Sequence, residues 1–245
     1  MGDSDYTRRG FVRLCTAAVT LLTASPSLLA KTDLRLRRYE RVRLIDDLGR
    51  PLSPAQLKEG ENYIFHYPYL ATPCFLINLG RPAKAATLRT EDGKEYHWSG
   101  GVGPKRAIVA FAAICAHKMT HPAHQVSFIN YRHRPASFLN SDNETSERAQ
   151  IIYCCSEKSV YDAMDGARVL GGPAKQPLTA IVLEQDKHNH LYAIGTLGGE
   201  LYDKFFATFS SRLSLEFRTT DIRRPITANA TVVPLSAYCS NQVLC

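Results

Sequence analysis

Apolar residues in this chain recur in short runs, each closed off by Gly, Pro or a polar cluster, and nothing else in the sequence restricts the fold as much. Residues 63–67, 74–79, 107–113, 126–131, 150–153, 178–184 and 191–196 are such runs. Runs of that length, rich in Ile, Val, Phe and Tyr, suit strands better than helices. Asp92-Gly93 and Asp165-Gly166 are tight-turn dipeptides between them. No long helical pattern interrupts the series, so the body is predicted to be all-β, an antiparallel sandwich or barrel. One helix is expected near the C-terminus, where Leu201, Phe205, Phe209 and Leu213 repeat with Lys204, Ser210 and Arg212 on other faces. It should pack on the sheet. The polar stretch 133–148, with Pro135, Asn140, Ser141, Asp142, Asn143 and Glu144, reads as an exposed insertion between strands. With 245 residues, 44% of them hydrophobic, the chain is long enough for one main domain plus a tail or anchor.

The net charge of +7 is spread along the chain and is densest where Lys31, Arg35, Arg37, Arg38, Arg41 and Arg43 crowd together. That cluster suits a solvated linker or a contact with anionic lipid headgroups. No basic face interleaved with aromatics and no recognition motif accompanies it, so a nucleic-acid partner is not expected. Near the start, Thr7-Arg8-Arg9-Gly10-Phe11-Val12-Arg13 matches the twin-arginine export pattern, and residues 14–30 carry no charge. That route carries proteins that fold and load a cofactor before crossing. The expected location is the periplasmic side of the bacterial inner membrane. Leu28 stands where a small residue would favour cleavage after Ala30, and the uncharged run is at the short end of what spans a bilayer, so anchored and peripheral forms both stay open. The resulting division is 1–30 signal or anchor, 31–62 basic linker leading in, 63–199 β domain, and 200–245 helix and tail.

Seven cysteines, at positions 15, 74, 115, 154, 155, 239 and 245, are too few and too scattered for a disulfide framework. Cys74 reads as a core residue, and Cys239 and Cys245 could pair in the tail. His66, His97, His133, His188 and His190 read as surface or strand residues. Cys115-Ala116-His117 follows the run 107–113 directly, placing a thiol and an imidazole in a loop that leaves a strand. A second loop, Cys154-Cys155-Ser156-Glu157-Lys158-Ser159, also leaves a strand. Val160-Tyr161-Asp162, Gly166 and Gly171-Gly172-Pro173-Ala174 follow it.

Over residues 107–199 this series resembles the Rieske-type iron-sulfur proteins. In that family the first box is Cys-x-His. The second is Cys-x-x-His followed by Ser and an aromatic-Asp pair, and a Gly-Pro-Ala loop covers the cluster. The resemblance implies an antiparallel β base with a small cluster-binding subdomain, a [2Fe-2S] cluster, and Gly172, Pro173 and Ala174 lying over it. It also implies ligation by two thiolates on a buried iron and two imidazoles on an outer one. Two departures stand out. The disulfide that ties the two loops in many members has no counterpart, since Thr120 follows Met119 and the second loop offers Ser156 or Glu157. The fourth ligand position is Glu157 if the second box begins at Cys154, and Lys158 if it begins at Cys155.

The register from Cys155 is the expectation, because Ser159 then directly follows the ligand position. The ligand set is then Cys115, His117 and Cys155, with Lys158 in place of the expected His and Cys154 as an alternative ligand. A protonated ammonium has no lone pair for iron. The missing ligand is therefore sought in His121 or His124, in Cys154 as a third thiolate, or in Glu157 through oxygen. A scaffold without metal is a further alternative. The resemblance implies an electron-transfer subunit of a quinol-oxidising or other respiratory complex rather than a stand-alone enzyme. Its partners would be membrane-complex subunits or a periplasmic redox protein, with quinol as a possible reductant. The competing readings are a cluster-free structural or interaction subunit, and a zinc site built from Cys115, His117, Cys154 and Cys155.

Overall fold

The computed structural model describes residues 36–245. The twin-arginine segment and the uncharged run after it lie outside the described residues. Two strands, β3 (Pro73–Asn78) and β6 (Ile108–Ala112), pair antiparallel with Phe75 opposite Phe111 and Ile77 opposite Val109. Both are covered on both faces, which is why they read as continuous apolar runs rather than as alternating ones. Alternation still divides them. Cys74, Leu76, Ile108 and Ala110 enter one core, and Phe75, Ile77, Val109 and Phe111 enter another.

The first core is the interior of the larger sheet. It gathers Val42 and Leu44 from β1 (Arg37–Ile45), Phe65 from β2 (Asn62–His66), Leu183 from β13 (Ala180–Gln185) and Leu191 and Ala193 from β14 (Leu191–Leu197). The sheet holds eight strands. In order they are β15 (Asn229–Thr231), β1, β14, β13, β6, β3, β2 and β16 (Val233–Pro234). The two end strands are almost one segment of chain. Ala230 sits beside Leu44 on one side, and Val233 sits beside Ile64 on the other. The segment 229–234 therefore joins the two ends of the sheet and nearly closes a barrel, which removes its free edges.

The second core lies outside the barrel, between β3 and β6 and a smaller antiparallel sheet. That sheet is ordered β12 (Arg168–Gly171), β11 (Ser159–Asp162), β10 (Ile151–Cys154), β7 (Ile129–Arg132). A hairpin of β4 (Ala86–Arg89) and β5 (Glu95–Trp98) adds Leu88, Tyr96 and Trp98 to the same core. The smaller sheet has its own outer layer. The hairpin β8 (Ala136–Leu139) and β9 (Thr145–Arg148) lays Ala136 and Phe138 on Ile151, Tyr153 and Val160.

The all-β expectation holds, with seven runs recovered as strands and both turn dipeptides at hairpin tips. Two segments differ. The basic stretch 37–45 is not a linker but a strand, since Val42 and Leu44 alternate into the barrel while the arginines point outward. Arg37 pairs with Glu200 and Arg41 with Glu184. The polar stretch 133–148 is no bare insertion, because Ala136 and Phe138 give one face of its hairpin something to bury.

The expected helix is α1 (Tyr202–Phe217), ended by Arg218 in the left-handed region. Its apolar stripe is Tyr202, Phe205, Phe206 and Leu213, and it packs on Ala71, Ala112, Ile114 and Met119. A short helix, α2 (Leu235–Tyr238), precedes the tail. No helix among the described residues is long and apolar enough to cross a membrane.

Phe111 is fully buried where the outer core meets the sheet, with its ring 5.8 Å from that of Trp98. Phe111→Ala should lower unfolding stability by about 3–5 kcal/mol, read from the midpoint and slope of urea denaturation.

Candidate metal centre

Both boxes hang from the elements just described. Strand β6 runs on through Ala113 and Ile114 to Cys115, where the chain folds into a closed loop. The Cys115 N–H donates to the Thr120 carbonyl at 2.8 Å, and the Met119 N–H donates to the Cys115 carbonyl at 2.9 Å. Helix α1 braces this loop from outside through Ile114 and Met119. The second box is the turn between β10 and β11, residues 155–158, closed by the pairing of Cys154 with Ser159.

Alternation along β10 decides which cysteine faces the first box. Ile152 and Cys154 point into the outer core, and Ile151 and Tyr153 point away from it. Cys115 and Cys154 are both fully buried in the same outer core and near enough to shift each other's titration. Cys155 points elsewhere, and its sulfur is bonded to that of Cys245. The register beginning at Cys155 is thereby corrected. A sulfur already in a disulfide is not a free thiolate, and counting from Cys154 makes Glu157 the fourth position. Lys158 has an exposed side chain on a left-handed backbone (φ 61°) and occupies the turn rather than the ligand position. The zinc reading loses its third thiolate for the same reason.

The sulfur pair carries an uneven charge. The Cys115 thiol is pushed down, chiefly by hydrogen bonding from Cys154 and against the effect of burial. The Tyr161 hydroxyl, the His117 backbone N–H and the Ser159 hydroxyl assist. Cys154 moves the opposite way, because its proton serves that bond and burial disfavours its anion. Tyr161 Oη lies 3.2 Å from Cys115 Sγ and accepts the Ala116 N–H at 3.0 Å, so its own proton is available to the sulfur. The Ser159 hydroxyl is buried and has no hydrogen bond of standard geometry, though it lies near enough to Cys115 to favour the thiolate.

On the solvent side stand His117 and Glu157, with Nδ1 and Oε2 3.7 Å apart and their side chains 28% and 29% exposed. The His117 Nδ1 atom is itself buried and makes no hydrogen bond. Lys118 Nζ lies 3.5 Å from the other Glu157 oxygen. The loop carrying Gly172, Pro173 and Ala174 lies against the backbone just beyond this box. A Cβ on Gly172, at φ +80°, would overlap the Lys158 carbonyl, so only glycine allows so close an approach.

The remaining candidates face other parts of the chain, although His121 Nε2, like His117 Nδ1, is buried without a hydrogen bond. His121 Nδ1 bonds the Met119 carbonyl at 3.0 Å, and its ring sits edge-on to Phe205 and Phe209 under α1. His124 Nδ1 bonds the Tyr238 carbonyl at 3.1 Å. Cys74 is a core residue whose thiol donates to the Tyr67 carbonyl. Cys239 stays a free thiol, donating to the Asn241 carbonyl, so it does not pair with Cys245.

Among the described residues no three His, Cys, Asp or Glu side chains are gathered closely enough to hold a metal ion as they stand. The site consists instead of two pairs, one buried and sulfur-bearing, one at the surface with nitrogen and oxygen. Two soft sulfurs on the inside, with an imidazole and a carboxylate outside, form a donor set that fits iron. The unpartnered Nδ1 of His117 and the under-satisfied Ser159 hydroxyl at the same place agree with that fit.

No family model matches this chain. A crystal structure of the soluble domain of the Rieske protein II from Sulfolobus acidocaldarius is similar to it at 26% sequence identity, covering 64% of this chain and 78% of that one, with a TM-score of 0.45.

Two buried histidines make the fold acid-sensitive. Burial pushes His121 down to about 4, and Arg212 adds to the effect against the Met119 carbonyl. Burial likewise pushes His66 down to about 4, helped by His124. Between pH 6.5 and 4 the unfolded chain binds protons at these rings and the folded chain does not, so stability falls as pH falls through that window. The expected loss is on the order of 3 kcal/mol per ring. His121→Asn, whose amide can still donate to Met119, should flatten the dependence of urea-unfolding stability on pH over that range.

Proposed function

We propose that the two loops hold a [2Fe-2S] cluster through Cys115, Cys154 and His117, with Glu157 as an oxygen ligand, and that the protein is a Rieske-like electron-transfer subunit. The observation that supports this best is the nested arrangement of the four donors. The buried cysteines face each other, and His117 Nδ1 and Glu157 Oε2 stand 3.7 Å apart on the exposed side. When bound, such a cluster exchanges single electrons.

The chain's own residues define how it would do so. Tyr161 directs its hydroxyl at Cys115 Sγ, drawing charge from the sulfur and favouring reduction. Glu157 works in the opposite sense, because a carboxylate adds negative charge where a neutral imidazole would not. The outer core of Ile129, Ile152 and Trp98 excludes water from the sulfur side. His117, partly exposed, is the imidazole of the proposed ligand set that a bound donor or solvent can reach.

The proposed setting is the periplasmic side of the bacterial inner membrane, with respiratory membrane-complex subunits or a periplasmic redox protein as partners. The twin-arginine pattern supports the route, and the Cys155–Cys245 disulfide suits an oxidising compartment. A cluster-free subunit is the second reading. Its support is that Glu157 has Lys118 as an ion partner, with the His117 ring 3.7 Å from its other oxygen, without any metal.

Iron and acid-labile sulfide analysis of protein isolated anaerobically from the exporting cell separates the two. Equal amounts of iron and sulfide, with a low-field EPR signal on reduction, are expected; a colourless protein free of iron would sink the cluster reading. Glu157→His should increase cluster retention and raise the reduction potential, whereas Lys158→His should do neither.

A further inference from the structure

The two boxes have no disulfide between them, yet the second is covalently held, and what holds it is the end of the chain. Beyond α2, residues 239–245 run alongside the segment that follows the first box. The Ser240 N–H donates to the His124 carbonyl at 2.8 Å. The Ser127 N–H donates to the Asn241 carbonyl at 2.8 Å, and the Val243 N–H donates to the Ser127 carbonyl at 2.9 Å. The Asn130 side chain then donates to the Val243 carbonyl at 2.9 Å, and Arg132 Nη1 donates to the Cys245 carbonyl at 2.9 Å. Cys245 finally reaches Cys155, next to Cys154, and the Cys155 N–H donates to the Phe128 carbonyl at 2.7 Å.

We propose that residues 239–245 are a strap, closed by the Cys155–Cys245 disulfide, that positions the second box against the first. Cys245 is thus a positioning residue for Cys154 and Glu157. One continuous segment is bonded to 124–132, which leads away from the first box, and to Cys155 in the second. It does the work of a loop-to-loop tie from a different direction. Cys245 is exposed and Cys155 partly so, while Cys115 and Cys154 are buried, so the strap is the thiol pair that solvent reagents reach first. Closure is thiol-disulfide exchange. The two cysteines lose two protons and two electrons as the S–S bond forms, and an oxidised disulfide donor of the compartment takes both up as it becomes a dithiol. Before that exchange the second box is held without any covalent tie to the strap.

The strap is read from geometry that does not depend on a bound cluster; only its effect on iron retention rests on the function proposed above. The test is hydrogen-exchange mass spectrometry on the full chain. The samples are wild type, wild type treated with a water-soluble phosphine, and Cys155→Ser/Cys245→Ser, in which the strap cannot re-close. In the open forms, amides of 126–130 and 154–159 should exchange about tenfold faster or more, with 73–78 and 108–112 unchanged. Where wild type carries iron, the open forms should lose it faster to EDTA. Unchanged exchange at both segments in the open forms, or equal acceleration across the large sheet, would overturn the strap. If the double variant does not fold, phosphine-treated wild type decides the matter alone. Absence of iron in every sample would count against the cluster and leave the exchange result to judge the strap.

Discussion

Everything at the site depends on two strands having no solvent face. Because β3 and β6 are covered on both sides, their alternation serves two cores at once. One parity fills the barrel. The other carries the outer core, and the line Phe75, Ile77, Val109, Phe111 continues through Ala113 to Cys115. The first box is therefore an extension of a packed row, and its sulfur is delivered to the outer core by the same period that delivers the phenylalanines. The smaller sheet repeats the device from the opposite side, where Ile152 leads to Cys154. Two buried sulfurs meet because two strand parities were set several residues earlier, by ordinary apolar side chains.

This explains what was legible in the sequence and what was not. Runs such as 74–79 and 107–113 announce themselves because they are apolar on both faces. Strand β1 does not, since its outward positions are arginines and its inward signal is only Val42 and Leu44. The β8–β9 hairpin is hidden by the same arithmetic, with Ala136 and Phe138 as its apolar positions among polar ones. The second-box register is the instructive case. Ile151, Ile152 and Tyr153 are all apolar, so composition does not say which parity faces the site. Only the outer hairpin, by covering Ile151 and Tyr153, leaves Ile152 and Cys154 to face inward. A tie between Cys155 and the last residue joins positions 90 apart in sequence, and nothing local marks it.

The disulfide and the turn are coupled in stability as well as in place. Closing a loop of that length constrains the unfolded chain by about 4.6 kcal/mol in the chain-entropy view. The turn it anchors needs such support. Residues 155–158 have few apolar anchors, Ser156 and Lys158 are exposed, and Lys158 adopts a left-handed backbone that favours glycine. Gly172 supplies the other restraint, letting its loop press on the Lys158 carbonyl. The second box is thus clamped between a covalent tie before the turn's tip and a steric stop after it.

What the clamp presents at its tip is a carboxylate where the resembled family presents an imidazole, and the surrounding charges show how the chain accommodates it. Glu157 stands between His117 and Lys118, so its negative charge is met by an ammonium on one oxygen and an imidazole on the other. A histidine at 157 would have faced Lys118 without attraction. The substitution and Lys118 therefore belong together as one local arrangement. Its net effect is to place negative charge at the outer pair, while the Tyr161 hydroxyl stands 3.2 Å from the Cys115 sulfur of the inner pair. For the cluster proposed above, a carboxylate outside in place of a second imidazole would lower the reduction potential.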